Sequence, residues 1–198
     1  MTLLATLLAL FSLHYLRPGM PDGFFVQIDV YRQHAFWLLL HVVGGVVALA
    51  IGPWQFLSGL RRRRPRLHRW LGRAYVAAVA AGSFGGMYMA FLAFGGTLTQ
   101  TSFLLLSMLW FGATWIAVGR VLDGDIAAHR RWMVRSYALT FAAVTLRLWL
   151  LGLGAVLPLE VAYQAASWLA WVPNLIFAEC LLRRRDRSPV AMRNRHAV

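Results

Sequence analysis

The chain alternates between long apolar runs and short polar stretches that contain most of its arginines. Six apolar runs are long enough, or nearly so, to form a helix that crosses a hydrocarbon core of ~20 helical residues. The predicted spans are residues 2–16, 36–58, 74–95, 102–121, 136–154 and 160–182. The first run lacks the positively charged start and the small-residue cleavage site of a secretory signal, so we predict an uncleaved span there. The pattern predicts an all-α bundle of about six transmembrane helices.

Composition supports an integral membrane protein. Of the 198 residues, 60% are hydrophobic and only 14% are charged, which is too apolar for a soluble domain of this length. We expect a single transmembrane domain over residues 1–182 and a basic cytoplasmic tail over 183–198.

The arginine blocks predict the orientation of the helices. The net charge of +13 comes from arginine, since the chain contains no lysine. Segments 61–73, 120–135 and 183–195 are basic, whereas 96–101 and 155–159 carry no positive charge. By the positive-inside rule both termini are cytoplasmic, in a bacterial inner membrane. The basic blocks favour anionic lipid head groups as partners at that face, rather than nucleic acid.

Two polar segments resemble each other. Residues 68–75 (HRWLGRAY) and 129–137 (HRRWMVRSY) align, with one inserted residue, as His, Arg, Trp, Arg and Tyr. Each directly precedes an apolar run, so both are predicted at cytoplasmic helix ends. One interpretation is a parallel repeat that relates spans two and three to spans four and five. The alternative is convergent composition at the membrane interface, where Trp, Tyr and Arg are common.

Polar residues within the spans fall into two layers when depth is counted at ~1.5 Å per residue. A charged group near the bilayer centre costs at least ~2.5 kcal/mol, so such residues are usually paired or functional. The outer layer contains His41, Arg147 and Gln164. The inner layer contains His68, His129, Arg73, Arg135, Gln55 and Glu179. Because Arg147 and Glu179 differ by about 15 Å in depth, we predict no ion pair between them.

The two layers predict different chemistry. His68 and His129 are candidate ligands for a metal or a haem iron, or carriers of protons near neutral pH, with an ordinary interfacial belt as the structural alternative. In the outer layer, Arg147 with His41 and Gln164 is a candidate site for a quinone head group or a haem propionate. The alternative there is an arginine satisfied by backbone carbonyls and Gln164.

Three functional classes are compatible with this pattern. The first is a membrane redox protein that binds b-type haem or quinone between helices, with Arg73 and Arg135 beside the inner histidines. The second is a small permease or proton-coupled carrier. The third is a non-catalytic accessory subunit that binds a membrane-protein partner or another copy of itself. The redox class is preferred, because histidines flanked by arginines suit a cofactor with acidic groups. Whether the protein is an enzyme is left open.

The motifs together resemble a known family. Residues 52–56 (GPWQF) after His41, the two aligned segments and Arg147 are similar to bacterial membrane proteins grouped as domain of unknown function 2306. The resemblance covers about residues 34–182. It implies a polytopic inner-membrane protein and supplies no catalytic residues.

Overall fold

The computed structural model describes residues 27–186, and this part of the chain is built from helices. In chain order they are α1 (Ile28–Gln33), α2 (Ala35–Gln55), α3 (Ser58–Arg63), α4 (Pro65–Ala90), α5 (Gly96–Leu122), α6 (Ile126–Thr140), α7 (Ala142–Gly154), α8 (Leu159–Leu169) and α9 (Val172–Asp186). The predicted span 2–16 and most of the tail lie outside the described residues. The all-α prediction is confirmed for residues 27–186.

Four stretches of the described chain are long and apolar enough to cross a membrane. They are Ala35–Gln55, Gly96–Leu122, Ile126–Gly154 and Leu159–Arg184. Helix α4, where we predicted the span 74–95, is 26 residues long but is not among them. The part of α4 within the predicted span is rich in alanine, glycine and serine, which are less hydrophobic than leucine or valine. The predicted count of about six spans is therefore not confirmed.

Helices α2 and α4 form the most extensive helix pair of the bundle, and small residues bring them together. A Cβ atom added to Gly44 would lie 2.5 Å from the backbone oxygen of Ala78 and 2.5 Å from the nitrogen of Gly82. One added to Gly85 would lie 2.6 Å from the backbone oxygen of Trp37. Such close backbone approach is the usual basis of helix association in a bilayer, where lipid removes the hydrophobic driving force.

The remaining long helices pack in sequence, and their ends have local causes. Helix α4 packs against α5, and α5 packs against α6. Gly95 and Gly96 have positive φ values of 91° and 69°, which allows the tight turn from α4 into α5. Asp125 caps α6, because its side chain accepts a 2.8 Å hydrogen bond from the Ala128 amide.

The predicted spans 136–154 and 160–182 are each divided into two helices. The second break lies just before Pro173, which has no amide hydrogen and cannot continue the preceding helix. The carbonyl of Ala170 at this break accepts hydrogen bonds from the Thr145 hydroxyl at 2.5 Å and the Asn174 amide at 2.9 Å. Neighbouring side chains thus satisfy a backbone carbonyl at the helix break, as a membrane interior requires.

Large apolar side chains cover the outside of the bundle. Phe36, Leu122, Leu151 and Phe177 are each more than 65% exposed. The interior contains small residues, aromatic rings and hydroxyl groups. This inverted distribution suits a lipid environment, because lipid tails solvate exposed apolar side chains while polar groups must find partners inside.

Candidate functional site

The two aligned segments occupy equivalent places at the start of a helix. His68 lies in the first turn of α4, three residues after Pro65, and His129 lies in the first turn of α6, four residues after the capping Asp125. We call this end of the bundle, which also carries Arg61 and Arg69, the basic end. The segments therefore have similar local structure, and a common ancestry for them stays a prediction.

His68 and His129 lie close enough for their charges to interact. The Nδ1 atom of His129 is 2.8 Å from the carbonyl oxygen of Ala117, so this nitrogen carries a hydrogen and donates it. That bond leaves Nε2 of neutral His129 with a lone pair. Nδ1 of His68 is buried and has no hydrogen-bond partner among the described residues. The two histidines therefore lie within electrostatic range of each other, and a shared site stays a prediction.

Positive charges surround His68. Burial lowers the pKa of His68 below its ordinary value of 6.5, and the charges of Arg61, His129 and Arg69 lower the pKa further. The imidazole is consequently neutral at pH 7, which is the form that ligates a metal. Within residues 27–186, no group of three or more His, Cys, Asp or Glu side chains could hold a metal ion.

Arg73 and Arg135, the arginines of the two aligned segments that follow the tryptophans, have similar aromatic contacts but different ionic contacts. The Arg73 guanidinium lies 5.4 Å from the Trp70 ring centre, and the Arg135 guanidinium lies 4.6 Å from the Trp132 ring centre. Arg135 also binds Glu179 through two hydrogen bonds, at 2.5 Å from Nε and 3.0 Å from Nη2. Glu179 therefore neutralises Arg135, which is left less suited than Arg73 to bind an acidic cofactor group.

Just inside this end, a buried hydroxyl cluster joins α4, α5 and α6. The Tyr75 hydroxyl is 2.8 Å from both the Ser136 and the Thr140 hydroxyls. Thr114 is 2.7 Å from Ser136, and the Trp110 indole donates to Thr140 at 2.8 Å. Two further hydroxyl hydrogen bonds reach the carbonyls of Trp110 and Ser136. Four hydroxyls and one indole supply five hydrogens for these six contacts, so at least one hydrogen is shared.

Sequence reasoning placed Tyr75 at this depth but missed the cluster around it. The available signal was weak. Ser136 and Thr140 are one helical turn apart and therefore share a face of α6. Nothing in their spacing identifies the partner helices.

The outer-layer residues are held mainly by backbone carbonyls. Nδ1 of His41 is 2.8 Å from the carbonyl of Gly82, and Arg147 donates to the carbonyl of Ala143 at 2.6 Å. The positive charge of Arg147 acts on His41, and a shared site for these two residues stays a prediction. Gln164 donates to the carbonyl of Gly95 at 2.9 Å and thereby stabilises the turn between α4 and α5. The Gln164 amide thus has a structural contact at this turn.

A family model described as predicted membrane protein (DUF2306) matches residues 38–182, which is more than half of the chain. No curated protein and no solved structure matches the sequence.

Proposed function

We propose that this chain, which belongs to the DUF2306 family of predicted membrane proteins, is a redox protein of the bilayer. In this proposal a b-type haem is held between His68 and His129. The observation that carries the proposal is the juxtaposition of two imidazoles from different helices at one end of the bundle. Two histidines on separate helices are a sufficient set of axial ligands for a haem iron.

The hydrogen bonding around the pair fits this role. A histidine that ligates a metal through Nε2 usually donates its Nδ1 hydrogen to a carbonyl or carboxylate, which fixes the ring. His129 has this arrangement with the Ala117 carbonyl. His68 supplies a neutral ring, since burial and neighbouring arginines lower its pKa. These features support ligation by both side chains.

The surrounding arginines suit the acidic groups of a haem. Arg61 and Arg69 lie near enough to act electrostatically on His68, and Arg73 lies on the same helix about one turn further along. Guanidinium groups bind carboxylates such as haem propionates with good geometry. When bound, the haem would supply one-electron transfer. Arg135 is less suited than Arg73 to bind a propionate, because Glu179 already binds Arg135.

The packing next to the histidines favours a redox protein over a permease or proton-coupled carrier. Tyr75 and Ser136 are fully buried, and the hydroxyl cluster satisfies its members internally. A carrier needs a water-accessible cavity at this depth, whereas a redox protein needs a rigid scaffold. We further propose that the basic end faces the cytoplasm of a bacterial inner membrane, next to anionic head groups. Quinone binding at His41 and Arg147, and an accessory role in a larger complex, are weaker proposals.

An absorption spectrum tests the proposal directly. The protein is expressed with haem supplied, purified in detergent, and recorded in oxidised and reduced forms. We expect a Soret band that is lost in His68→Ala and in His129→Ala. His34→Ala is the matched control, because His34 bonds Tyr88 on the exposed surface and its loss should leave the band intact. A wild-type protein without a Soret band, or alanine variants that retain it, would refute haem ligation by this pair.

A further inference from the structure

Two polar side chains near the basic end are buried without a hydrogen-bond partner. Gln55 and Tyr137 are each 8% exposed, and neither Nε2 of Gln55 nor the hydroxyl of Tyr137 has a partner among the described residues. A buried polar group without a partner costs stability, about 1 to 3 kcal/mol. Side chains that retain this cost are concentrated at sites where a ligand completes the bonding.

The two side chains lie where α2, α4 and α6 meet. Gly52, one turn before Gln55, lacks a side chain where the Tyr137 ring packs, and a Cβ atom there would collide with that ring. On the opposite side, a Cβ atom on Gly72 would lie 3.5 Å from Oε1 of Gln55. Gly72 lies one turn after His68, whose Nδ1 is also buried without a partner among the described residues. Helices α2, α4 and α6 thus each carry one unpartnered polar group, on Gln55, His68 and Tyr137.

This contact region has an aromatic edge that reaches the outer surface. The Phe56 ring centre is 5.6 Å from that of Tyr137, and Phe56 is 43% exposed. Trp54 and Leu57 beside it are also exposed. A ligand that enters from the lipid would pass this apolar edge before it meets the buried amide and phenol.

We propose that Gln55 and Tyr137 bind the ring carbonyl of a lipid-soluble quinone. The amide nitrogen and the phenol are both neutral donors, which match a carbonyl oxygen, and the aromatic edge matches a flat ring. The positive charges around His68 further favour an electron-rich acceptor. This site lies in the inner layer, away from His41 and Arg147. It needs no haem, so the inference does not depend on the proposed function.

Binding is measured by isothermal titration calorimetry of the full chain in detergent micelles, with a decyl-substituted benzoquinone as the probe. Tyr137→Phe and Gln55→Leu remove one donor each while they keep the shape of the side chain. We expect about three- to tenfold weaker binding for each variant. Tyr88→Phe is the matched control, since its hydroxyl already bonds His34, and this variant should bind as wild type does.

Thermal unfolding provides a second readout. Because Tyr137→Phe and Gln55→Leu remove groups that lack partners, the ligand-free variants should unfold at the wild-type temperature or above it. A variant that binds weakly yet unfolds normally supports the proposal. Unchanged affinity in both variants, or absence of quinone binding by the wild type, would overturn it. The proposal would also be overturned if decanoate displaced the quinone from the wild type but not from Tyr137→Phe. That result would identify a carboxylate site. If Tyr137→Phe keeps the Soret band, its weaker quinone binding is independent of haem binding.

Discussion

The hydroxyl cluster gives the sharpest test of the tertiary structure. Tyr75→Phe keeps the buried ring and removes only the hydroxyl, which makes two interhelical contacts of 2.8 Å to Ser136 and Thr140. Both partners keep other bonds, Ser136 to Thr114 and Thr140 to Trp110, so the substitution leaves no group without a partner. The expected loss is therefore that of two hydrogen bonds and no more.

The magnitude follows from measured interhelical bonds in membrane proteins, which average about 0.6 kcal/mol and reach about 1.7 kcal/mol. Two such bonds give a loss of about 1 to 3 kcal/mol in the free energy of unfolding. Thr140→Val should cost more. It removes the acceptor of both Tyr75 and Trp110, and the buried Trp110 indole then loses its partner in the cluster at an added cost of about 1 to 3 kcal/mol.

The assay is reversible unfolding in mixed micelles, followed by circular dichroism. Tyr88→Phe is the control, because it removes one 3.0 Å bond to His34 at an exposed site and should change the free energy by less than about 0.5 kcal/mol. If Tyr75→Phe and Thr140→Val were no more destabilising than Tyr88→Phe, the cluster would not join α4, α5 and α6 as described.

Two further predictions concern helix packing and pH. Gly44→Ala should destabilise the bundle by about 1 to 3 kcal/mol in the same assay, because its new methyl group meets the α4 backbone at 2.5 Å. Gly45→Ala is the control and should not destabilise the bundle, because the space around Gly45 is open. Comparable stabilities of the two alanine variants would contradict the close α2–α4 contact. The free energy of unfolding should fall as pH drops below about 6.5, because the pKa of His68 is lowered in the fold and the unfolded chain takes up the proton first. A His68→Gln variant should lose part of this dependence, and an identical pH profile would count against a buried His68.

Much of the architecture is predictable from the sequence, because local patterns encode it. Apolar runs of about 20 residues predict membrane helices regardless of their neighbours, and the sequence motifs together identify the family. Depth along a helix is also local, since each residue adds ~1.5 Å. That ruler placed Glu179 level with Arg135 rather than with Arg147, and the structure pairs Glu179 with Arg135.

The sequence by itself thus determined the class of protein and the family. The tertiary structure decided which helices meet and which of their faces touch. The hydroxyl cluster around Tyr75 and the unpartnered pair Gln55 and Tyr137 both belong to that second group. The physical reason is that periodicity fixes a residue's position on its own helix, whereas rotation and neighbour choice depend on packing between distant segments. Here glycines such as Gly44 and Gly52 set that packing, by leaving room for the backbone of α4 and the ring of Tyr137.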